Sequence, residues 1–206
     1  MARKMTEQEQ KRTEAFNEKS AQLQSKGYSM KQITVGVVIG NIMTFVIMLP
    51  LIAIVVGLFY ITGGHFFVPD LAECSILFVL MLVSMPIHEW IHGFTWGRFS
   101  ENGMKDIEYG VIWQMLTPYC TCKAPLKKLH YILGSMMPTI VLGVLVAGIG
   151  ICISSFFLVI IGCYNIFAGG GDFNIIIRLL CYKTPNKDVI FMDHPTELGL
   201  VVFENK

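Results

Sequence analysis

Three long apolar stretches dominate the chain. Residues 33–60 carry no charge, residues 75–97 carry only Glu89 and two histidines, and residues 131–171 are again uncharged. A helix needs ~20 mostly apolar residues to cross the core of a bilayer, so the first two stretches each suit one span and the third holds most of two. The pattern predicts a first span over roughly Ile33 to Tyr60, kinked at Pro50, and a second over Cys74 to Phe99, loosened at Pro86. A third starts near His130 and ends near Gly148-Ile149-Gly150. A fourth runs from about Ser154 to Leu180, interrupted by Ala168-Gly169-Gly170-Gly171-Asp172.

Between and beyond these stretches the pattern changes period. Residues 61–73 hold Gly63, Gly64, Pro69 and Asp70 but no Lys or Arg, and read as a short outer loop. In the polar stretch 100–128, Ile107, Tyr109, Val111 and Trp113 alternate with Glu108, Gly110, Ile112 and Gln114, a strand signal; Thr117 to Cys122 is a second extended segment around Pro118. The expected fold is therefore an α-helical integral membrane protein of about four transmembrane helices, with a short membrane-associated β-hairpin between spans two and three. Residues 1–31 form a polar cytoplasmic arm, 32–182 the membrane domain, and 183–206 a cytoplasmic tail with a strand-like Leu200-Val201-Val202-Phe203.

Composition supports a bilayer setting: residues of the AVILMFWYC set make up 53%, charged residues 15%, and mean hydropathy is +0.57. The net charge of +1 conceals a segregation. Arg3, Lys4, Lys11, Arg12, Lys19, Lys26 and Lys31 precede span one; Arg98 and Lys105 follow span two; Lys123, Lys127 and Lys128 precede span three; Arg178, Lys183 and Lys187 follow span four. The loops on the other side, 61–73 and about 149–153, have neither Lys nor Arg, which puts both termini of a multi-pass cell-membrane protein in the cytoplasm. The basic excess of the arm lacks aromatic interleaving, so no nucleic-acid partner is expected. Its length also argues against a signal peptide. The six cysteines suggest no disulfide framework, and Cys120 and Cys122, two apart, are not spaced as a zinc knuckle.

The chemistry lies in span two. His88-Glu89-Trp90-Ile91-His92 is an H-E-x-x-H motif; on a helix its histidines project one turn apart from one face and can reach one metal ion, with Glu89 beside a water on that ion. At this chain's His and Glu content a chance match is expected only about 0.006 times. The bland alternative is a polar cluster bonded between helices, but such groups are costly in hydrocarbon and default to function. A catalytic zinc takes a third protein ligand. Asp172 is the only carboxylate between His130 and Arg178, and it lies six residues before Arg178 as His92 lies six before Arg98, at matching depth. Gly169, Gly170 and Gly171 permit close approach there. His194, in Asp193-His194-Pro195, is the alternative third ligand, although a turn is the commoner use of that triplet. His130 reads as interfacial and His65 as inert, while Trp90, Phe94 and Trp96 read as lipid- or interface-facing aromatics.

With the H-E-x-x-H in a span, an aspartate after a glycine cluster in a later span and an extended segment between, residues 75–200 resemble the site-2 protease group of intramembrane zinc peptidases, and within it the compact zincin peptidases of bacteria, a domain family of unknown function. The resemblance implies Zn2+ held by His88, His92 and Asp172, with Glu89 as general base. The order Gly-Gly-Gly-Asp-Phe-Asn departs from the Asn and Pro upstream of a Leu-Asp-Gly in larger site-2 proteases: Asn165 and Asn174 are the asparagines nearby and no proline is present.

The leading reading is a membrane zinc metalloprotease acting on membrane or membrane-proximal proteins, its substrate held by strand addition to the extended segments. Two other classes share the site: a zinc hydrolase of a small or lipid amide, and a non-catalytic membrane adaptor with a structural metal site. Against the adaptor stands Glu89, which a purely structural site does not need. Oligomeric state is open.

Overall fold

The computed structural model describes residues 6–34, 36–112, 117–186, 188–197 and 199–205. Trp113 and Gln114 of the strand alternation, and Arg3, Lys4 and Lys187 of the charge pattern, lie outside the described residues. The chain is mostly helical with small antiparallel sheets. Three helices are long and apolar enough to cross a membrane: α2 (Val37–Ile61), α3 (Leu71–Gly97) and a composite of α4 (Lys128–Pro138), a π-helical stretch Thr139–Leu145 and α5 (Val146–Cys152). A fourth crossing results if α6 (Phe156–Ala168) and α7 (Gly170–Cys181), bent by 47° at the glycine cluster, count as one span.

Pro50 and Pro86 lie inside helices that run through them without a break. Each proline removes one backbone bond, but in an apolar setting the flanking amides have no better partner than the helix itself. The π-helical turn instead follows Pro138, whose missing N–H falls where the ladder widens. Asp70 and Glu73 form a capping box that starts α3 at Leu71, three residues ahead of the expected boundary. Large apolar side chains of α2 and α3, among them Val38, Ile39, Phe78 and Val79, point outward and exposed. Such a contiguous apolar surface suits lipid rather than water.

The glycine cluster works as the sequence suggests. A Cβ on Gly170 would collide with the Thr44 side chain, so its absence lets α7 meet α2 closely. Buried Asn174 then ties the two helices, its amide donating to Gly40 O at 3.1 Å and Gly170 O at 2.9 Å.

Arm and tail fold together. The arm forms α1 (Glu7–Ser25), started by a Thr6–Glu9 capping box, and β1 (Tyr28–Thr34), so Ile33 and Thr34 belong to a strand and not to span one. The strand β1 pairs along its length with β6 (Gly199–Asn205), β6 pairs with β5 (Val189–Asp193), and β5 with β4 (Leu126–Lys127), giving an antiparallel sheet of order β1-β6-β5-β4. Successive side chains of a strand face opposite ways. Leu200 and Val202 therefore join Leu126, Phe191, Trp96, Tyr131 and Leu179 in the main core, while Val201 and Phe203 pack with Met192 and Leu23 under α1. Burial on both faces explains the unbroken apolar run of β6. A second sheet is the hairpin β2 (Ile107–Ile112) and β3 (Thr117–Cys122), registered Ile107 to Cys122 and Ile112 to Thr117, between α3 and α4 in the chain as expected.

Candidate metal centre

The helix α3 carries His88 and His92 on its buried stripe, 7% and 3% exposed. Asp172 stands in the first turn of α7, just past the bend. Its Oδ2 lies 3.2 Å from His88 Nε2 and 3.3 Å from His92 Nε2, and one ligand atom from each of the three residues lies within 4.8 Å of the others. Among the described residues this is the only such group of His, Cys, Asp or Glu.

The spacing fits zinc. Ligand atoms at ~2.0–2.1 Å from a tetrahedral ion stand about 3.3–3.4 Å from one another, close to the two separations seen. The proton positions fit as well. His92 Nδ1 lies 2.9 Å from Gly134 O, and a carbonyl only accepts, so Nδ1 donates there and Nε2 is the nitrogen left for an ion. His88 is held differently: its Nδ1 is buried with no hydrogen-bond partner among the described residues.

Glu89 lies on the flank of α3 that faces the hairpin, with the backbone of Cys120 on β3 beside its carboxylate. The N–H of Cys122 donates to Asp193 Oδ2 at 3.0 Å. Residues 118, 120 and 122 therefore turn their backbone groups away from β2, and Pro118 forfeits no ladder bond. This outer edge of β3 is the one beside Glu89. Tyr109 of β2 reinforces the packing by donating to Trp90 O at 3.4 Å.

Behind His88, His92 and Asp172 is a supporting set that the sequence reading missed. Trp96 is 4% exposed and not lipid-facing; its ring stacks on His92 at 5.0 Å and 13°, and its Nε1 donates to Tyr131 O at 3.2 Å. The signal was available, because Trp96 follows His92 by one helical turn on the same stripe. Trp90 and Phe94 do face outward, stacked at 5.3 Å with the Arg98 guanidinium over Phe94. The Tyr131 hydroxyl donates to Asp193, which also accepts from Thr121 Oγ1 at 2.7 Å. Burial pushes the Asp193 carboxyl up, opposed by the bonds from Tyr131, Thr121 and Cys122. Burial likewise raises both hairpin thiols, Cys122 to about 12 and Cys120 further.

A family model described as "Putative zincin peptidase" matches residues 81–187, just over half of the chain, and spans the motif, the hairpin and Asp172. The chain belongs to this family. Zincin peptidases are zinc metallopeptidases by class, which agrees with the His-His-Asp group. No curated protein and no solved structure matches the chain.

The other sequence candidates lie apart from the zincin centre. His194 serves a turn: its Nδ1 accepts from the N–H groups of Thr196 and Glu197, and its ring lies 6.5 Å from that of Phe16. His130 stacks on Phe99 at 4.2 Å beside the first turn of α4. All six cysteines are free thiols.

Proposed function

We propose that the protein is a membrane-embedded zinc metalloprotease, similar to site-2 proteases, that hydrolyses peptide bonds of membrane or membrane-proximal proteins. The observation that carries this reading is the convergence of His88, His92 and Asp172 on one point, with Glu89 beside it. His88, His92 and Asp172 would hold the zinc. Zinc, when bound, supplies Lewis acidity to the scissile carbonyl and to the attacking water. Glu89 takes the proton of that water and delivers it to the leaving amine. Gly134 O fixes the His92 tautomer, and Trp96 fixes the plane of its ring. A substrate in helical form hides its carbonyls, so it must extend to be cut. The outer edge of β3, at Pro118 and Cys120, lies beside Glu89 and suits an added strand. The apolar helices and the Lys and Arg distribution support a cell-membrane setting with both termini cytoplasmic.

The test is metal content and turnover together. Detergent-purified wild type is expected to carry about one zinc, with both His92→Ala and Asp172→Ala losing it. Glu89→Gln is expected to keep the zinc and lose cleavage of membrane-protein substrates by at least 10²-fold. Unchanged cleavage by Glu89→Gln would sink the proposal, and zinc retained in Asp172→Ala would remove Asp172 from the ligand set.

A further inference from the structure

Where α4 begins and α7 ends, on the side of the four-stranded sheet, the surface opens into a cavity of about 560 Å³. Lys127, Lys128 and Lys183 line it together with Tyr182, Asn186 and Asp188. The volume falls within the range of small-ligand sites. The three ammonium groups form no ion pair with a carboxylate among the described residues, whereas Lys11, Lys19 and Lys123 each do. Lys128 is held there by donating to Tyr182 O at 3.2 Å, which leaves its other protons available. The one lining carboxylate, Asp188, is already engaged, its Oδ2 accepting from Tyr28 at 2.5 Å. Positive charge therefore exceeds negative along the lining of the cavity.

The location narrows the ligand. Lys128 is the first residue of one apolar span and Cys181 the last of the bent pair, so the cavity sits where two spans leave the apolar layer. Leu129, which lines it, and Leu180, two residues before the lining Tyr182, are 63% and 59% exposed, apolar side chains in the neighbourhood of a cationic pocket. Lysine stems lie along such side chains with their charge at headgroup level. The first turn of α4, which begins at the cavity, has no side-chain cap from Lys127.

We propose that this cavity binds a phosphate-bearing anion, the chemistry of an anionic phospholipid headgroup. The lipid as source rests on the reading that the chain spans a membrane, and the pocket is separate from the zinc residues. The test uses the full chain in neutral detergent, titrated with dihexanoyl phosphatidylglycerol, dihexanoyl phosphatidylcholine and inorganic phosphate, with binding followed by native mass spectrometry. The cavity variant Lys127→Gln/Lys183→Gln leaves the Lys128 bond to Tyr182 intact. The control, Lys26→Gln/Lys105→Gln, removes equal charge elsewhere. Phosphatidylglycerol is expected to bind saturably, at least tenfold tighter than phosphatidylcholine, and to lose at least tenfold in the cavity variant only. Both variants are expected to keep wild-type zinc content and melting temperature without lipid, which separates a binding defect from a folding one. Lysine-dependent binding of inorganic phosphate, with phosphatidylglycerol no tighter, would keep the phosphate site and overturn the lipid as its source. Equal affinity of phosphatidylglycerol for the two variants, or saturable binding of none of the probes, would overturn the site.

Discussion

His92 is the residue on which most of the centre's geometry depends. One ring nitrogen faces Asp172, the other meets Gly134 O, and one ring face lies on Trp96. Gly134 can take part only because it lacks a side chain: a Cβ there would collide with the Trp96 indole. Gly134→Ala must therefore push Trp96 and the Gly134 carbonyl apart, disturbing both the stack and the tautomer of His92. Loss of an outer partner of a metal-bound histidine typically costs 10–100-fold in metal affinity. We expect Gly134→Ala to bind zinc weaker by that order, with helix content unchanged, in a competitive chelator titration. Unaltered affinity would mean that His92 does not need this support. The grouping of His88, His92 and Asp172 was legible from the H-E-x-x-H spacing and the lone aspartate of a long apolar run, because polar groups in apolar runs are rare. Gly134, Tyr131 and Asp193 were not, because each acts through a fold contact more than 30 residues away in sequence.

Elements position these residues by docking, and the hairpin shows it best. Alternation over 107–112 and 117–122 was readable as two strands, since period-2 patterning survives without tertiary context. What lies under β3 was not readable. Cys122 is buried in the main core, and Cys120 sits over the Glu89 side of α3. A thiol pushed to about 12 is a thiolate in only ~10⁻⁴ of molecules at pH 8, against ~0.2 for an ordinary cysteine. Cys181, at the end of α7, is exposed. A water-soluble maleimide at pH 8 is expected to modify Cys181 at least 10²-fold faster than Cys120 or Cys122, with unfolding in detergent abolishing the difference, as read by peptide mass spectrometry. Equal rates in the folded protein would mean that the hairpin is not docked on α3. The same logic applies to the bend between α6 and α7. Its glycines announced a break, but only packing against Thr44 shows that the break brings Asp172 to the histidines.

At the scale of the whole molecule, α1, β1 and β6 pack together over one end of the helical part. Neither the arm nor the tail revealed this from its own pattern: α1 is weakly amphipathic, and the apolar run of β6 is too short to tell a buried strand from other structure. Only the pairing of β1 with β6 places Leu23 of α1 over Val201 and Phe203. Asp193 makes that sheet matter to the centre. It ends β5 and holds Thr121 and the Cys122 N–H of β3, and it accepts from Tyr131 of α4, whose carbonyl receives the Trp96 indole. A lesion under α1 should therefore travel. Leu23→Ala removes a buried side chain and leaves a cavity, a change that typically costs 2–5 kcal/mol at such positions. The expected result in hydrogen–deuterium exchange is faster exchange over 189–193 and 199–205, and a smaller acceleration over 117–122, transmitted through Asp193. Asp193→Asn should reproduce the second effect with little of the first. The apolar helices α2 and α6 should exchange as in the wild type in both variants. If Leu23→Ala leaves 117–122 unchanged while the sheet loosens, sheet and hairpin open independently, and the arm then stabilises the tail without reaching the His-His-Asp group.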